Sequence, residues 1–145
     1  MIQSMMKKAV LFMCLVINLH IMDAQEITTY YFIRHAEKVR SDPSNKNPSL
    51  NEVGFKRANK WQEVFSNIKF DAIYSTNYLR TRLTAEPTAD FQSLPILLYD
   101  PKNLYDNDFQ RKTRGKIVLV VGHSNTINVF VNNILGQEKY PEIDD

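Results

Sequence analysis

Apolar and polar positions alternate along the chain in short runs, and the period of each run predicts an element. Ile27 to Ile33 (ITTYYFI) is β-branched and aromatic, the composition of a strand, and it delivers Arg34 and His35 at its C-terminal end. Arg40 to Ser49 is rich in Ser, Asn, Asp, Lys and Pro without periodicity, which predicts a surface loop. Asn51 is a good N-cap for the helix that follows, where Ala58, Trp61, Phe65 and Ile68 recur at three- and four-residue spacing and form one apolar face. Phe70 to Tyr74 predicts a second strand, and Tyr78 to about Phe91 a helix that Pro87 must kink or end. Pro95 to Tyr99 predicts a third strand, whereas Asp100 to Arg114 is polar and only weakly helical in pattern. Lys116 to Val121 (KIVLVV) is a continuous apolar run, as expected of a strand buried on both faces. It ends at Gly122 and His123, after which Ser124 is expected to cap a last helix with Ile127, Phe130, Val131 and Ile134 on one face.

Strands and helices alternating at this spacing imply right-handed crossovers and an α/β fold of three layers, a mostly parallel central sheet with helices on both faces. In such sheets ligands bind beyond the carboxyl ends of the strands. That rim collects Arg34 and His35 after the first strand, Ser75 to Arg80 after the second, Asp100 after the third and His123 after the fourth.

The first residues follow a different pattern. Lys7 and Lys8 precede an apolar run from Ala9 to Met22, broken by Asn18 and His20, and Ala24 supplies a small residue before a cut. These are the three parts of a secretory signal peptide. The run is shorter than the roughly 20 apolar residues of a spanning helix, so no stable membrane anchor is expected after its removal. Lipidation of Cys14 is disfavoured by the bulk of Phe12 and Met13. The expected organisation is a signal peptide over residues 1–24 and a single domain over 25–145, with a secreted or periplasmic location. A chain of 145 residues, 43% hydrophobic, suits one compact domain. Its net charge of +2 points to no nucleic-acid partner. The only cysteine, Cys14, lies in the signal segment, so the domain has neither a disulfide framework nor a cysteine-built zinc site. Of three histidines, His20 leaves with the signal, and the remaining two are the pair on the rim.

Two arginines and two histidines around one pocket suit a tetrahedral dianion. Guanidinium forks bind its oxygens bidentately, and an imidazole can donate an N–H or attack. Taking the phosphoryl group onto a histidine divides hydrolysis into two easier steps, with nearby cations stabilising the transition state and holding the nucleophile unprotonated. The helix N-terminus after His123 adds backbone N–H groups to the same pocket. No metal or other cofactor is required.

Four motifs in order sharpen this reading. Arg34-His35-Ala36-Glu37 follows the first strand, and Leu50-Asn51-Glu52-Val53-Gly54-Phe55-Lys56-Arg57-Ala58 opens the first helix. Ser75-Thr76-Asn77-Tyr78-Leu79-Arg80-Thr81-Arg82-Leu83-Thr84-Ala85 follows the second strand, and Gly122-His123-Ser124-Asn125 follows the fourth. With these the chain resembles the phosphoglycerate-mutase-like branch of the histidine phosphatase superfamily, departing from its pattern where Asn51 replaces a threonine. The resemblance implies that His35 is the phosphorylated nucleophile, that Arg34 and Arg80 hold the phosphoryl oxygens, that His123 donates to the same group and that Ser41 adds a polar contact. For the general acid it best matches Asp100, with Glu37, Glu86 and Asp106 as rivals. The size and the export signal favour a phosphomonoester hydrolase over a mutase, with a small-molecule phosphomonoester or phosphate as partner. The alternatives are a protein-phosphohistidine phosphatase and a non-catalytic phosphate-binding module. Relatives usually continue past the position of Gly136 into another strand, whereas the polar residues 137–145 predict a sheet lacking it, with an exposed edge.

Overall fold

The computed structural model describes residue 3 and residues 26–144; the signal segment expected over residues 1–24 lies outside the described residues apart from Gln3. Four strands, β1 (Thr29–Arg34), β2 (Ala72–Ser75), β3 (Ile96–Leu98) and β4 (Ile117–Gly122), form one sheet in the order β1-β4-β2-β3. Every pairing is parallel. The helices are α1 (Glu52–Val64), α2 (Leu79–Gln92), α3 (Asn107–Thr113) and α4 (Ser124–Leu135).

Strand period divides the core in two. Ile33, Ile73, Leu119 and Val121 point to one face, where they meet Phe65, Phe70, Ala85 and Ala89 beneath α1 and α2. Their neighbours Ala72, Tyr74, Val118 and Val120 point to the other face and pack on Phe109 of α3 and Phe130 of α4. Val118 to Val121 are wholly buried, as the unbroken apolar run predicts for a central strand. At full burial each such side chain contributes about 2 kcal/mol of transfer free energy.

The caps fix how helices meet the rim. Asn51 Oδ1 accepts from the Gly54 N–H at 2.9 Å, as expected of the N-cap of α1. Gly54 packs so closely on the loop after β1 that a Cβ there would lie 2.1 Å from the Glu37 carbonyl oxygen. Pro87 does not end α2, which runs on to Gln92 and closes at Ser93 in the left-handed region. The N-cap of α4 is His123 rather than Ser124. Strand β4 extends through Gly122, so the single residue left for the change of direction is the histidine, and its N–H donates to Thr126 Oγ1 at 3.1 Å.

No strand forms between residues 137 and 144, and β1 is an edge strand. The segment folds back instead. Buried Asn132 accepts from the N–H groups of Lys139 (3.1 Å) and Tyr140 (3.0 Å) and donates to the Tyr140 carbonyl (2.9 Å). Farther on, Ile143 N–H donates to the Ser124 carbonyl at 3.3 Å, which lays the segment beside the start of α4.

Candidate active site

Arg34 stands opposite Gly122 in the β1–β4 ladder, so the next residue of each strand is a histidine. His35 N–H extends the ladder by donating to the Gly122 carbonyl at 2.9 Å. The two imidazoles therefore sit side by side, ring centres 5.4 Å apart and only 7% and 9% exposed. They line a cavity of about 380 Å³ with Lys38, Tyr78, Arg80, Pro101, Glu142 and the first turn of α4.

Each ring is held by its own partner. His35 Nδ1 lies 2.7 Å from the Ala36 carbonyl, which can only accept, so the neutral ring carries its proton there and its lone pair on Nε2. His123 Nε2 lies 2.9 Å from Thr76 Oγ1, and its Nδ1 lies 3.4 Å from Arg80 Nη2. Tyr78 backs both neighbours, its ring edge-on to His123 at 5.0 Å and its face under the Arg80 guanidinium at 4.5 Å. The buried Nε of Arg80 has no hydrogen-bond partner, leaving a donor for an incoming oxyanion.

The electrostatics follow from this crowding. Burial lowers the His35 pKa to about 4; the Ala36 hydrogen bond, the next largest effect, opposes it, and the charges of Arg80, Arg34 and Lys38 reinforce it. Burial, Arg80, His35 and further cations bring His123 to about 4 as well. Both rings are neutral at physiological pH. Burial also lowers Lys38 and Arg80 from their ordinary values.

Arg34 occupies the neighbouring wall, in a second cavity of about 580 Å³ that it shares with His35, Lys38, Arg40, Arg57 and Trp61. Its Nη1 donates to the Asp144 carbonyl at 2.9 Å. Ser41 is exposed in the loop after β1 and lines neither cavity. Asp100 is exposed as well; its Oδ1 accepts from the Lys102 N–H at 2.9 Å in a local turn, and Pro101, not Asp100, reaches the histidine cavity. None of the rival acids lines the histidine cavity. Glu37 is paired with Arg57 of α1 through both carboxylate oxygens, Asp106 caps α3 by accepting from Phe109 N–H at 2.7 Å, and Glu86 is exposed on α2. The structure thus brings together His35, His123 and Arg80, with Arg34 adjacent. It does not bring Ser41 or Asp100 to them. Lys38, Thr76, Tyr78 and Glu142 are site residues that periodicity did not single out; Thr76 and Tyr78 lie inside the motif that follows β2.

A family model described as histidine phosphatase superfamily (branch 1) matches residues 30–101. No curated protein matches the chain. Among solved structures, a protein of Agrobacterium tumefaciens assigned as the phosphohistidine phosphatase SixA is 22% identical, with a TM-score of 0.60, covering 77% of this chain and 79% of its own. Phosphoserine phosphatase of Entamoeba histolytica, in complex with 3-phosphoglyceric acid, is 18% identical with a TM-score of 0.60 over 77% and 82% of the two chains. The protein histidine phosphatase SixA complexed with tungstate is 16% identical with a TM-score of 0.58 over 71% and 74%.

Proposed function

Because the chain belongs to the histidine phosphatase superfamily, we propose that it hydrolyses small-molecule phosphomonoesters through a phosphohistidine formed on His35. The observation that carries this reading is the arrangement of His35, with Nδ1 tied to the Ala36 carbonyl and the ring buried beside His123, Arg80 and Lys38. A neutral imidazole so fixed has its lone pair on Nε2 and needs no base to activate it. Attack forms the P–N bond as the ester P–O bond breaks. Arg80 and Lys38 stabilise charge on the phosphoryl oxygens, with Arg34 adjacent, and water then cleaves the P–N bond to release orthophosphate. The phosphatase activities of the compared structures agree in reaction class.

We also propose that residues 1–24 direct export, so that the substrates are met in the periplasm or outside the cell. N-terminal sequencing of the exported protein should then begin at Gln25.

The test of the activity is turnover of an aryl phosphate with trapping of the phosphoenzyme. Wild type should yield an acid-labile, base-stable phosphoenzyme, and His35→Ala should lose labelling together with about 10⁴-fold or more of kcat/KM. Full activity in His35→Ala would overturn the mechanism. An inactive wild type that still binds phosphate would favour the non-catalytic binding module.

A further inference from the structure

The hydrogen bonds behind His123 fix which of its nitrogens carries the proton. The Thr81 hydroxyl lies 3.0 Å from the Thr76 carbonyl and 2.9 Å from the Tyr78 carbonyl. Carbonyl oxygens only accept, so the Thr81 proton is committed to the backbone, and its oxygen is left to accept from Thr76 Oγ1 at 2.9 Å. Thr76 has then given its own proton away. Toward His123 Nε2, at 2.9 Å, it can act only as an acceptor. Nε2 therefore bears the hydrogen, and the lone pair of the neutral ring is on Nδ1. The other side of the ring agrees: Arg80 Nη2, 3.4 Å from Nδ1, has no acceptor capacity, so Nδ1 must be what accepts. Thr76 and Thr81 are wholly buried, so solvent does not compete for these bonds.

Resting on the phosphatase reading above, we infer that Thr76, oriented by Thr81, is a positioning residue that presents His123 to the phosphoryl group as a proton acceptor, so that the resting site takes the substrate monoanion. The P–O–H of a monoanion can replace Arg80 Nη2 as the donor to Nδ1, freeing Arg80 for the phosphoryl oxygens, whereas a dianion places an oxygen lone pair against a nitrogen lone pair. The proton balance of the first step then closes without a carboxylic acid. As His35 Nε2 bonds to phosphorus and the ester P–O bond breaks, the monoanion's proton passes to His123 Nδ1. From there it passes to the departing oxygen, giving the alcohol and a phosphohistidine in which a dianionic phosphoryl group sits on an imidazolium that keeps its Nδ1 proton.

The groups facing His123 are consistent with a neutral resting ring. They are His35 and Arg34 at the end of β1, Lys38 in the loop after it, Tyr78 and Arg80 at the start of α2, and Glu142 of the C-terminal segment across the cavity. Glu142 is the only carboxylate lining this cavity among the described residues. Burial, and then the cations, disfavour protonation until an anion arrives.

The experiment compares the pH dependence of kcat/KM for phenyl phosphate and for phenyl phosphorothioate, which loses its second proton at lower pH. For wild type, kcat/KM should fall as the phosphate ester loses its second proton near pH about 6. The falling limb should move down with the phosphorothioate, because it belongs to the substrate. Thr76→Val should free the ring to carry its proton on Nδ1. That should lower kcat/KM below the limb by about tenfold and flatten the limb, while Thr76→Ser restores the wild-type profile. A wild-type kcat/KM that rises with the dianion, or a Thr76→Val profile of unchanged shape, would overturn the inference. Nitrogen-15 NMR of the His123 ring in the full chain reads the tautomer without any variant: hydrogen on Nε2 supports the inference, and hydrogen on Nδ1 overturns it. Failure of the phosphatase reading would show separately, as absence of an acid-labile phosphoenzyme in wild type.

Discussion

β1 and β4 pair in register from Thr29 opposite Ile117 to Arg34 opposite Gly122, whereas β2 and β3 share only three register pairs, ending with Ser75 opposite Leu98. On the first side the ladder continues one step past the strands through the His35 N–H, so His35 and His123 emerge from a fixed frame into one cavity. On the second side the ladder also takes one further step, Tyr99 N–H donating to the Ser75 carbonyl at 3.1 Å, but Leu97 and Leu98 are 39% and 54% exposed, and Asp100 lies past that rung, set by a local turn rather than by the sheet. A strand places a side chain only as far as its ladder reaches; beyond the last rung, turn chemistry decides. The histidine pair is therefore a property of the core, and the expected acid position is a property of a loop.

This difference should be visible first in acid. Both histidines have pKa values of about 4 in the folded protein against 6.5 when exposed. The unfolded chain thus binds protons that the folded one refuses, and the stability held by neutral burial is complete above pH about 6.5. It declines as the pH falls toward 4, by on the order of 3 kcal/mol for each ring. Denaturant unfolding of the wild type across that window should show the decline. His35→Gln and His123→Gln should each flatten part of it, and a slope identical in all three proteins would remove the histidines as its cause.

The next largest effect should come from the join between the histidine-bearing loop and α1. A side chain at Gly54 meets the Glu37 backbone, two residues from His35, so Gly54→Val must push the loop or the helix aside. The expected cost is roughly 3 kcal/mol, the upper range for overpacking. A fall in melting temperature should be accompanied by a loss of kcat/KM larger than the unfolded fraction explains, because the His35–Ala36 geometry shifts with the loop. Loss of stability with unaltered activity in the folded fraction would show that the frame tolerates the displacement.

Much of this contrast is legible in the sequence, for a physical reason. The run from Lys116 to Val121, the α1 stripe of Ala58, Trp61 and Phe65, and the Asn51 cap are local patterns that burial and hydrogen bonding turn directly into structure. The histidines follow because strand ends inherit the register. Lys38, Tyr78 and Glu142 reach the cavity from connecting segments whose paths depend on distant contacts, such as the hold of Asn132 on Tyr140. Thr76 lay within a motif, but its bond to His123 spans 47 residues and no periodicity encodes it.

The smallest effect should be the most discriminating. Asp100 is exposed, and its carboxylate is engaged by the Lys102 N–H outside the histidine cavity. Asn can accept that same bond. Asp100→Asn should therefore leave the melting temperature nearly unchanged and alter kcat/KM by less than about threefold, the scale of a surface substitution away from the chemistry. The measurement is sharpest with an alkyl phosphate, whose leaving oxygen needs a proton more than an aryl one does. A large loss confined to the alkyl substrate would bring Asp100 into the site during turnover and make the β3 side part of the catalytic frame. An equally small change on both substrates would leave that frame with β1, β4 and the histidines they carry.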